Sequence, residues 1–579
     1  MEERVAELNS VYKSLAAQRA PWETWWDRLR DYVLPRRLNR EGEVSLPNRD
    51  AMDRMTDTTA VEACQKLASG HMSYITPSHD VWFKWSAPAD RGGDEAEAWY
   101  NQCSEIALKE LSVSNFYTEI HECFLDRVAL GTGSLFTGTS SDGRLLFTNI
   151  PCGQFACAEN AEGRVDTYVR EFTYTAHQAR SMFGMKALGP RAREVLERGG
   201  NPYATSLRFL HVVRPRTRRS RRREQAAHMP FESVYLSLDD QVIVEEGGYM
   251  EFPYLVTRFL KWGSGPYGLA PGRLVFPAIQ QVQFLNRILD TLGEVAAFPR
   301  ILELANQIGE VDLRAGGRTV ITPEAASLHL PREWATQGRY DVGMDRLAQK
   351  QDAIRRAYYL PMLELWSGHR GSMTATEVMA RENERVLMFS PSFTLFVSDL
   401  YSTMTRIFSL LFRMGKFPRP PRAVLREGRD GSIAVGEPRV VYQSKIALVL
   451  RRLQSEGMDR SLQRLNMMMQ AAPDLADHVD WDHCFRLSTR VDGAPESMLR
   501  PWADVQAMRK ERADRQQGAA QAPAEEDPYA SLNPLLDQLT TIQECTRIRH
   551  CSRRPPSGRP VSEGASFSGC LTLRTGGRR

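Results

Sequence analysis

The middle of the chain holds the pattern that most constrains its fold. Apolar residues recur at helical spacing over 274–298 and again over 341–359, and a short segment that favours strands and a turn separates them. A loop, 362–372, follows, in which two glycines flank His369 and Arg370, and a third helical pattern begins after it. Two long helices around a small insert are typical of an assembly protein, and the loop is where function is expected to concentrate.

Composition predicts a soluble, globular class. At 579 residues, with 42% apolar and 25% charged residues, the chain is expected to form two to four domains. It contains no uninterrupted run of about 18 apolar residues, so no membrane segment is expected. The N-terminus lacks the apolar core of a secretory signal, which favours a cytoplasmic site of synthesis and use. Its nine cysteines are odd in number and lack a C-x-x-C spacing, so neither a disulfide framework nor a metal site is expected.

The net charge of +4 is concentrated at one end. Residues 541–579 hold eight Arg and two Glu, so the remaining 540 residues carry a net charge of −2. A protein that holds duplex DNA tightly over one face is expected to be strongly basic, because each neutralised phosphate releases counterions. Any DNA handled by the body of the chain is therefore predicted to be contacted loosely.

The N-terminal half predicts an α+β domain with a helical first part. Helical patterns cover 1–34, 58–72 and 96–130, and the alternation at 81–85 favours a strand. From residue 131 onwards short, glycine-punctuated strands take over. The predicted strands are 135–136, 144–148, 165–172, 233–238 and 241–245.

Seven arginines crowd into residues 212–224, and two interpretations stay open. Like charges this close repel one another, which favours an exposed loop between strands. The alternative is a surface that contacts an acidic partner or nucleic acid. The arginines are Arg214, Arg216, Arg218, Arg219, Arg221, Arg222 and Arg223.

Each long helix is predicted to bury one apolar stripe. In the first helix the stripe is Leu274, Val275, Ile279, Val282, Leu285, Leu289, Leu292 and Ala296. In the second it is Met344, Leu347, Gln351, Ile354 and Tyr358. Between the helices, 301–304 and 315–323 are predicted to form strands around a tight turn. This insert is too small to bury much core, so it is expected to gain stability from neighbouring copies.

The third helix has a defined start. Thr374 and Glu377 form the two ends of a capping box, which fixes a helix that runs to about residue 389. Pro391 is expected to kink or restart it, because proline lacks the N–H that the helix needs. The apolar pattern then continues to Gly415. A linker over 516–527, a short helical pattern over 528–539 and a disordered basic end complete the chain.

Several short motifs occur in an order that resembles the head-to-tail connector (portal) proteins of short-tailed bacteriophages. They extend the resemblance over about 10–515, and none is found in the C-terminal tail. The motifs are Ala20-Pro21-Trp22-Glu23, Tyr32-Val33-Leu34-Pro35, Asp57-Thr58-Thr59-Ala60, Leu67-Ala68-Ser69-Gly70, Thr76-Pro77, Trp82-Phe83, Gly265-Pro266-Tyr267-Gly268 and Met373-Thr374-Ala375-Thr376-Glu377-Val378.

The resemblance implies a portal fold: a helical and strand-rich wing, two stem helices, a small α/β clip and a helical crown. It implies a ring, usually of twelve subunits, at one capsid vertex of a virion assembled in the bacterial cytoplasm, through which double-stranded DNA enters and leaves without sequence readout. The implied partners are the terminase packaging motor, tail adaptors, and the major capsid and scaffold proteins. The implied divisions are wing 1–273 and 374–440, first stem 274–298, clip 299–340, second stem 341–360, channel loop 361–373, crown 441–515 and tail 516–579.

The same resemblance implies three sets of site residues. The channel loop offers Trp366, His369 and Arg370. The channel face of the second stem helix offers Arg346, Lys350, Arg355 and Arg356. The clip, which would dock the motor or tail, offers Ile301, Leu304, Arg314, Arg318 and Val320.

Enzyme signatures are missing from the sequence. It has no G-x-x-x-x-G-K-[ST] phosphate loop, no G-x-S-x-G elbow and no H-E-x-x-H. No catalytic residue and no cofactor are therefore expected, and a packaging ATPase would have to be another protein. A viral scaffold or nucleic-acid-binding adaptor that is not a portal remains the alternative.

Overall fold

A computed structural model describes most of the chain, in two compact units, Met1–Leu499 and Arg500–Arg579. The described residues are 2–35, 54–88, 93–140, 142–197, 201–217, 228–263, 265–297, 300–302, 332–334, 340–363, 375–427, 433–443, 460–470, 472–491, 498–500 and 502–521. The second unit contributes one described helix, Trp502–Gln521. In the residues that the structure describes, no helix is long and apolar enough to cross a membrane.

Helices occur in the N-terminal, central and C-terminal parts of the first unit. They are α1 (Glu2–Val33), α2 (Thr59–Ile75), α3 (Asp94–Val113), α4 (Phe116–Leu130), α5 (Ala176–Phe183), α6 (Pro190–Glu197), α7 (Pro271–Leu274), α8 (Phe276–Ala297), α9 (Tyr340–Ala357), α10 (Leu360–Leu363), α11 (Ala375–Arg413) and α12 (Trp481–Val491). Residues 460–469 are also helical. Short 3-10 helices occupy Arg422–Val424 and Pro473–His478.

The strands form small antiparallel sheets. They are β1 (Phe83–Ser86), β2 (Thr132–Thr139), β3 (Leu145–Asn149), β4 (Phe155–Glu159), β5 (Val165–Thr175), β6 (Ser206–Pro215), β7 (Phe231–Ser237), β8 (Val242–Tyr249), β9 (Tyr254–Arg258), β10 (Leu260–Lys261), β11 (Gly268–Leu269), β12 (Arg300–Leu302), β13 (Arg332–Trp334), β14 (Leu425–Glu427), β15 (Ile433–Val435) and β16 (Arg439–Tyr442). Among the residues that the structure describes, the larger sheets have the orders β4-β5-β6-β7-β8 and β3-β2-β9, and the other strands form four pairs.

The five-stranded sheet is covered on both faces. Alternate residues of β6 point to opposite sides of the sheet, and Leu210 and Val212 join the apolar cluster of α1 while Leu207 and Phe209 join that of α5 and α6. Helix α5 begins with a capping box in which Thr175 Oγ1 accepts from the backbone N–H of Gln178. The sheet is therefore a middle layer, with α1 on one face and α5 and α6 on the other.

The main core joins α1, α2, α4, the three-stranded sheet and the second half of α11. Trp26, Trp82 and Trp85 are among its largest fully buried side chains. The turn from α4 into β2 runs through Gly131, whose φ of 89° suits glycine. Helices and antiparallel strands share one core, so the α+β class predicted from the sequence is confirmed.

Several sequence predictions about elements need correction. The helix predicted over 96–130 is two helices, α3 and α4. Strands β4, β6 and β9 and helices α5 and α6 were not predicted. Helix α11 does not restart at Pro391, because buried side chains after the proline hold the second half in the core.

The exposed-loop interpretation of the arginine run is wrong at its start. Arg214 belongs to β6, the central strand of the five-stranded sheet, and it bonds the carboxylates of Glu232 and Glu7. Arg216 is also largely buried and lies 4.0 Å from Glu232. The carboxylates of Glu7 and Glu232 offset the repulsion between neighbouring arginines that had favoured an exposed loop. Residues 218–227 lie outside the described part of the chain.

Candidate functional site

The two long helices α8 and α9 lie antiparallel and touch along part of their length. A Cβ atom at Gly343 would come within 2.7 Å of Leu289 Cδ2, closer than carbon atoms pack. Gln283, earlier in α8, and Gln351, later in α9, both bond Asp57. Residues later in α8 therefore lie beside residues earlier in α9, so the two helices run in opposite directions.

The predicted apolar stripes are confirmed only in part. Ile279, Val282 and Leu289 of α8 are buried, as are Leu347, Ile354 and Tyr358 after them. Leu274 is 61% exposed, because it lies in the separate turn α7 and not in the long helix. Met344 is 43% exposed, because it is turned about 100° around the helix from Gly343, the position that faces Leu289.

Exposed apolar side chains on these helices were missed by the sequence argument. Phe284 is 64% and Ile288 38% exposed on α8, and Val342 is 45% exposed on α9. Spacing alone could have found the first pair, because residues four apart share a helix face. The paired helices therefore carry apolar surface that the subunit itself does not cover.

The four cationic candidates of α9 do not share one face. Arg346, Arg355 and Arg356 are exposed and Lys350 is partly buried. Each residue turns a helix by about 100°, which places Arg346 and Lys350 close together and Arg355 on the opposite side from Arg346. Arg356 pairs with Asp352 one turn away, an exposed contact that contributes little stability.

Residues 54–58, called the strap below, run beside the long helices and bond both. Gln283 Oε1 accepts from the backbone N–H groups of Thr56 at 2.8 Å and Asp57 at 3.2 Å, and its Nε2 donates to Asp57 O at 2.7 Å. Asn286 Nδ2 donates to Thr56 O at 3.0 Å. Gln351 Nε2 donates to Asp57 Oδ2 at 2.7 Å. Polar side chains of the helices thus satisfy the backbone of a segment that has no regular structure.

The turn after α9 is anchored on two glycines. Tyr358 is fully buried, and a Cβ atom at Gly272 would lie 2.4 Å from its Oη. Burial raises the pKa of Tyr358 well above its usual value. Leu363 packs on α2, where a Cβ atom at Gly70 would lie 3.0 Å from its Cδ2. The base of the predicted loop is therefore held, while Trp366, His369 and Arg370 lie outside the described residues.

Helix α11 is pinned beside Pro391 by a buried arginine. Arg127 Nη2 donates to Ser392 O at 2.8 Å and to Ser392 Oγ at 3.0 Å, and its Nε donates to Arg258 O at 3.1 Å. Burial lowers the pKa of Arg127 to about 10, so it stays charged at neutral pH. The side chains of Thr374 and Glu377 lie outside the described part, so the capping box stays a prediction.

Two buried ionisable side chains surround this anchor. His71 lies 3.5 Å from Ser392 Oγ, and burial, with Arg127 nearby, lowers the pKa of His71 to about 3. Burial raises the pKa of Asp399 to about 6 against the opposing effect of Arg258 and Arg127. Helix α11 therefore contacts α2 through His71, which is uncharged at neutral pH. It contacts α4 through Arg127, which is charged.

The insert between the long helices closes with a short strand pair. Ile301 of β12 lies opposite Glu333 of β13. The strand predicted over 315–323, which includes Arg318 and Val320, lies outside the described residues, and so do Leu304 and Arg314. Within the residues that can be described, no group of three or more His, Cys, Asp or Glu is placed to hold a metal ion.

Comparisons with known proteins place the chain in a family. It matches the family described as "Bacteriophage head to tail connecting protein" over residues 5–499. It is 24% identical to the "Probable portal protein" of Bordetella phage BPP-1, over 89% of this chain and 92% of that protein. It is 25% identical to the "Portal protein" of Salmonella phage epsilon15, over 90% of this chain and 93% of that one.

One solved structure, a chain of the "Virion of native gene transfer agent (GTA) particle", aligns with a TM-score of 0.35 and 10% identity over 70% of this chain and 86% of that chain. A TM-score that low does not establish a shared fold. The sequence match, in contrast, extends over nearly all of the first unit and agrees with the two curated relatives. This protein belongs to the bacteriophage head to tail connecting protein family.

Proposed function

We propose that this portal protein works as a closed ring, of twelve copies by the family resemblance, at one vertex of the viral capsid. The ring surrounds a channel that passes double-stranded DNA into the particle and later out of it. Its partners are a terminase motor during packaging, tail adaptors afterwards, and the capsid and scaffold proteins around it. The role is structural, and ATP hydrolysis belongs to the motor.

The observation that carries the proposal is the uncovered apolar surface of α8 and α9. A ring needs two different, complementary patches on every subunit, because each copy meets one neighbour on each side. Phe284 and Ile288, four residues apart on α8, form one patch, and Tyr340 and Met344, four residues apart on α9, form another. Because Leu289 meets Gly343, Ile288 and Met344 lie at the same height along the helix pair.

The domain assignment follows the helix pair. The stem is 274–298 and 341–360, around α8 and α9, and the clip is 299–340, whose base is the β12–β13 pair. The wing is 1–273 with 374–440, the crown 441–515 and the tail 516–579. The channel loop, 361–373, begins at the turn that Tyr358 and Leu363 anchor.

DNA contact in the channel is weak and spread over the ring. Arg346 and Lys350 lie close together on α9, and one copy of each per subunit gives a repeated set of cations. A body of net charge −2 limits binding through counterion release, so DNA is guided and not held. The motor and tail bind the clip, with Ile301, Leu304, Arg314, Arg318 and Val320 as docking candidates.

Substitution at the stem patch tests the ring. Phe284→Glu with Ile288→Glu removes two apolar side chains, each worth about 1.5–3 kcal/mol when buried, and adds charge to the contact between copies. Sedimentation velocity should show the wild-type chain as a large ring and the double variant as smaller species. The control Tyr203→Glu changes an aromatic residue that is 68% exposed outside the helix pair, and it should still form rings. Rings of normal size from the double variant would refute the stem contact.

A further inference from the structure

We infer that the strap, residues 54–58, sets the position of the paired helices within the subunit and so governs DNA passage without governing ring assembly. This inference rests on the proposed function, because it assigns the strap a role in a channel. The strap lies outside the helices and the loop that the site prediction named. Its contacts nevertheless reach α8, α9 and α2 at once.

Apolar packing alone leaves the helix pair loosely positioned. Only five of the 22 residues of α8 are buried, and two of the 18 residues of α9. Apolar contact has little directional preference, so a pair with so few buried positions can shift along or about its axis at small cost. Some directional contact is needed to fix its position.

The buried amide of Gln283 supplies the directional hydrogen bonds on α8. Gln283 is 6% exposed, and its amide accepts two backbone N–H groups of the strap and donates to a backbone carbonyl. Thr56 Oγ1 adds a bond to Gln283 O at 3.1 Å. Arg287 Nη2 reaches Arg54 O at 3.2 Å. Hydrogen bonds lose strength steeply with poor angle or distance, so this set tolerates little shift of α8.

Asp57 extends the same constraint to α9 and α2. Its Oδ2 accepts from Gln351 Nε2 at 2.7 Å, and its Oδ1 accepts from the backbone N–H of Thr59 at 2.9 Å, at the start of α2. Helix α2 in turn seats Leu363 beside Gly70, at the base of the predicted channel loop. One carboxylate therefore ties the returning helix to α2, the helix that Leu363 at the base of the predicted loop packs against.

Exchanging the hydrogen-bond donor and acceptor between positions 351 and 57 tests the inference. Gln351→Glu places two carboxylates at hydrogen-bond distance, and like charges this close disfavour the bonded position by roughly ten-fold or more. Adding Asp57→Asn restores a bond with donor and acceptor exchanged. The new amide at position 57 donates through its Nδ2 to the new carboxylate at position 351, and its Oδ1 still accepts from the backbone N–H of Thr59. The matched control is Gln102→Glu, which adds the same charge at an exposed position of α3, outside the helix pair.

Three measurements are made on the full-length chain: ring assembly by native mass spectrometry, hydrogen exchange of peptides that cover 54–58, and DNA packaged into proheads with the matching motor. For Gln351→Glu we expect normal rings, faster exchange in the strap and roughly ten-fold less packaged DNA, in line with the shifted position. The double variant should regain packaging to within about two-fold of wild type. The control should match wild type in all three.

Other outcomes overturn the inference. If Gln351→Glu frees the strap in hydrogen exchange but packages like the control, the strap does not govern DNA passage. If the variant fails to fold or to form rings, the strap is a stability element and not a positioning one. Failure of the double variant to recover has the same meaning. If the wild-type chain itself forms no ring, the proposed function fails, and that result is seen before any variant is compared.

Discussion

Acid should destabilise the subunit through two buried histidines. His71 and His211 are 5% and 2% exposed, and burial, with a neighbouring arginine in each case, lowers both pKa values from 6.5 to about 3. The unfolded chain binds these protons below pH 6.5 and the folded chain does not, so stability falls as pH falls from 6.5 towards 3. Each histidine contributes about 1.4 kcal/mol per pH unit well below pH 6.5. Both together contribute about 3 kcal/mol between pH 6.5 and 5, because the unfolded histidines are only half protonated at pH 6.5.

Asp399 acts in the opposite direction. Its pKa is raised to about 6 in the folded protein by burial, so the folded chain binds this proton before the unfolded chain does. Stability is gained as pH falls through 6 towards 3.8, by about 1 kcal/mol between pH 6.5 and 5. The net loss expected from these three groups between pH 6.5 and 5 is therefore about 2 kcal/mol.

Urea unfolding at several pH values measures this balance. The double variant His71→Gln with His211→Gln is expected to be less stable at pH 7, but its loss of stability between pH 6.5 and 5 should be smaller than that of wild type by about 3 kcal/mol. The control His177→Gln changes an exposed histidine and should keep the wild-type pH dependence. An acid-induced loss of equal size in the double variant and in wild type would refute the assignment to these histidines.

Three further substitutions have defined outcomes. Gly131→Ala should prevent normal folding, because φ is 89° and its Cβ would lie 2.3 Å from a backbone oxygen; circular dichroism and yield of soluble protein measure this. Arg127→Met should cost about 3–5 kcal/mol, because it strands the polar groups that the buried guanidinium serves, and the loss is read from the urea midpoint. Gly70→Val should cost about 1–3 kcal/mol by overpacking, and displacement of Leu363 should speed hydrogen exchange over 360–363 while exchange in the five-stranded sheet stays unchanged.

The sequence predicted the long, periodic elements well and the short, buried ones poorly. Helix α8 was predicted to within two residues at each end, because Ile279, Val282 and Leu289 repeat at helical spacing and are buried. Strand β6 was not predicted, and its arginine-rich C-terminal end was assigned to a loop. Only the fold brings Glu232 and Glu7 close enough to pair Arg214.

The strap shows a second limit of the sequence argument. Asp57 was noted as part of a family motif, yet nothing in its neighbourhood points to Gln283 or Gln351, which lie more than 220 residues away along the chain. Isolated glutamines in a helix usually face solvent, so their role appears only when the backbone they bond is located. The glycines Gly70 and Gly272 are similar cases, because the side chains that need their space come from distant segments.

The ring is the central claim, and cryo-electron microscopy of the purified full-length chain tests it most directly. The account predicts a closed ring with an open centre, in which α8 and α9 stand side by side and Phe284 and Ile288 are covered by the neighbouring copy. Particles that stay monomeric at micromolar concentration, or rings in which these two side chains remain exposed to solvent, would contradict it.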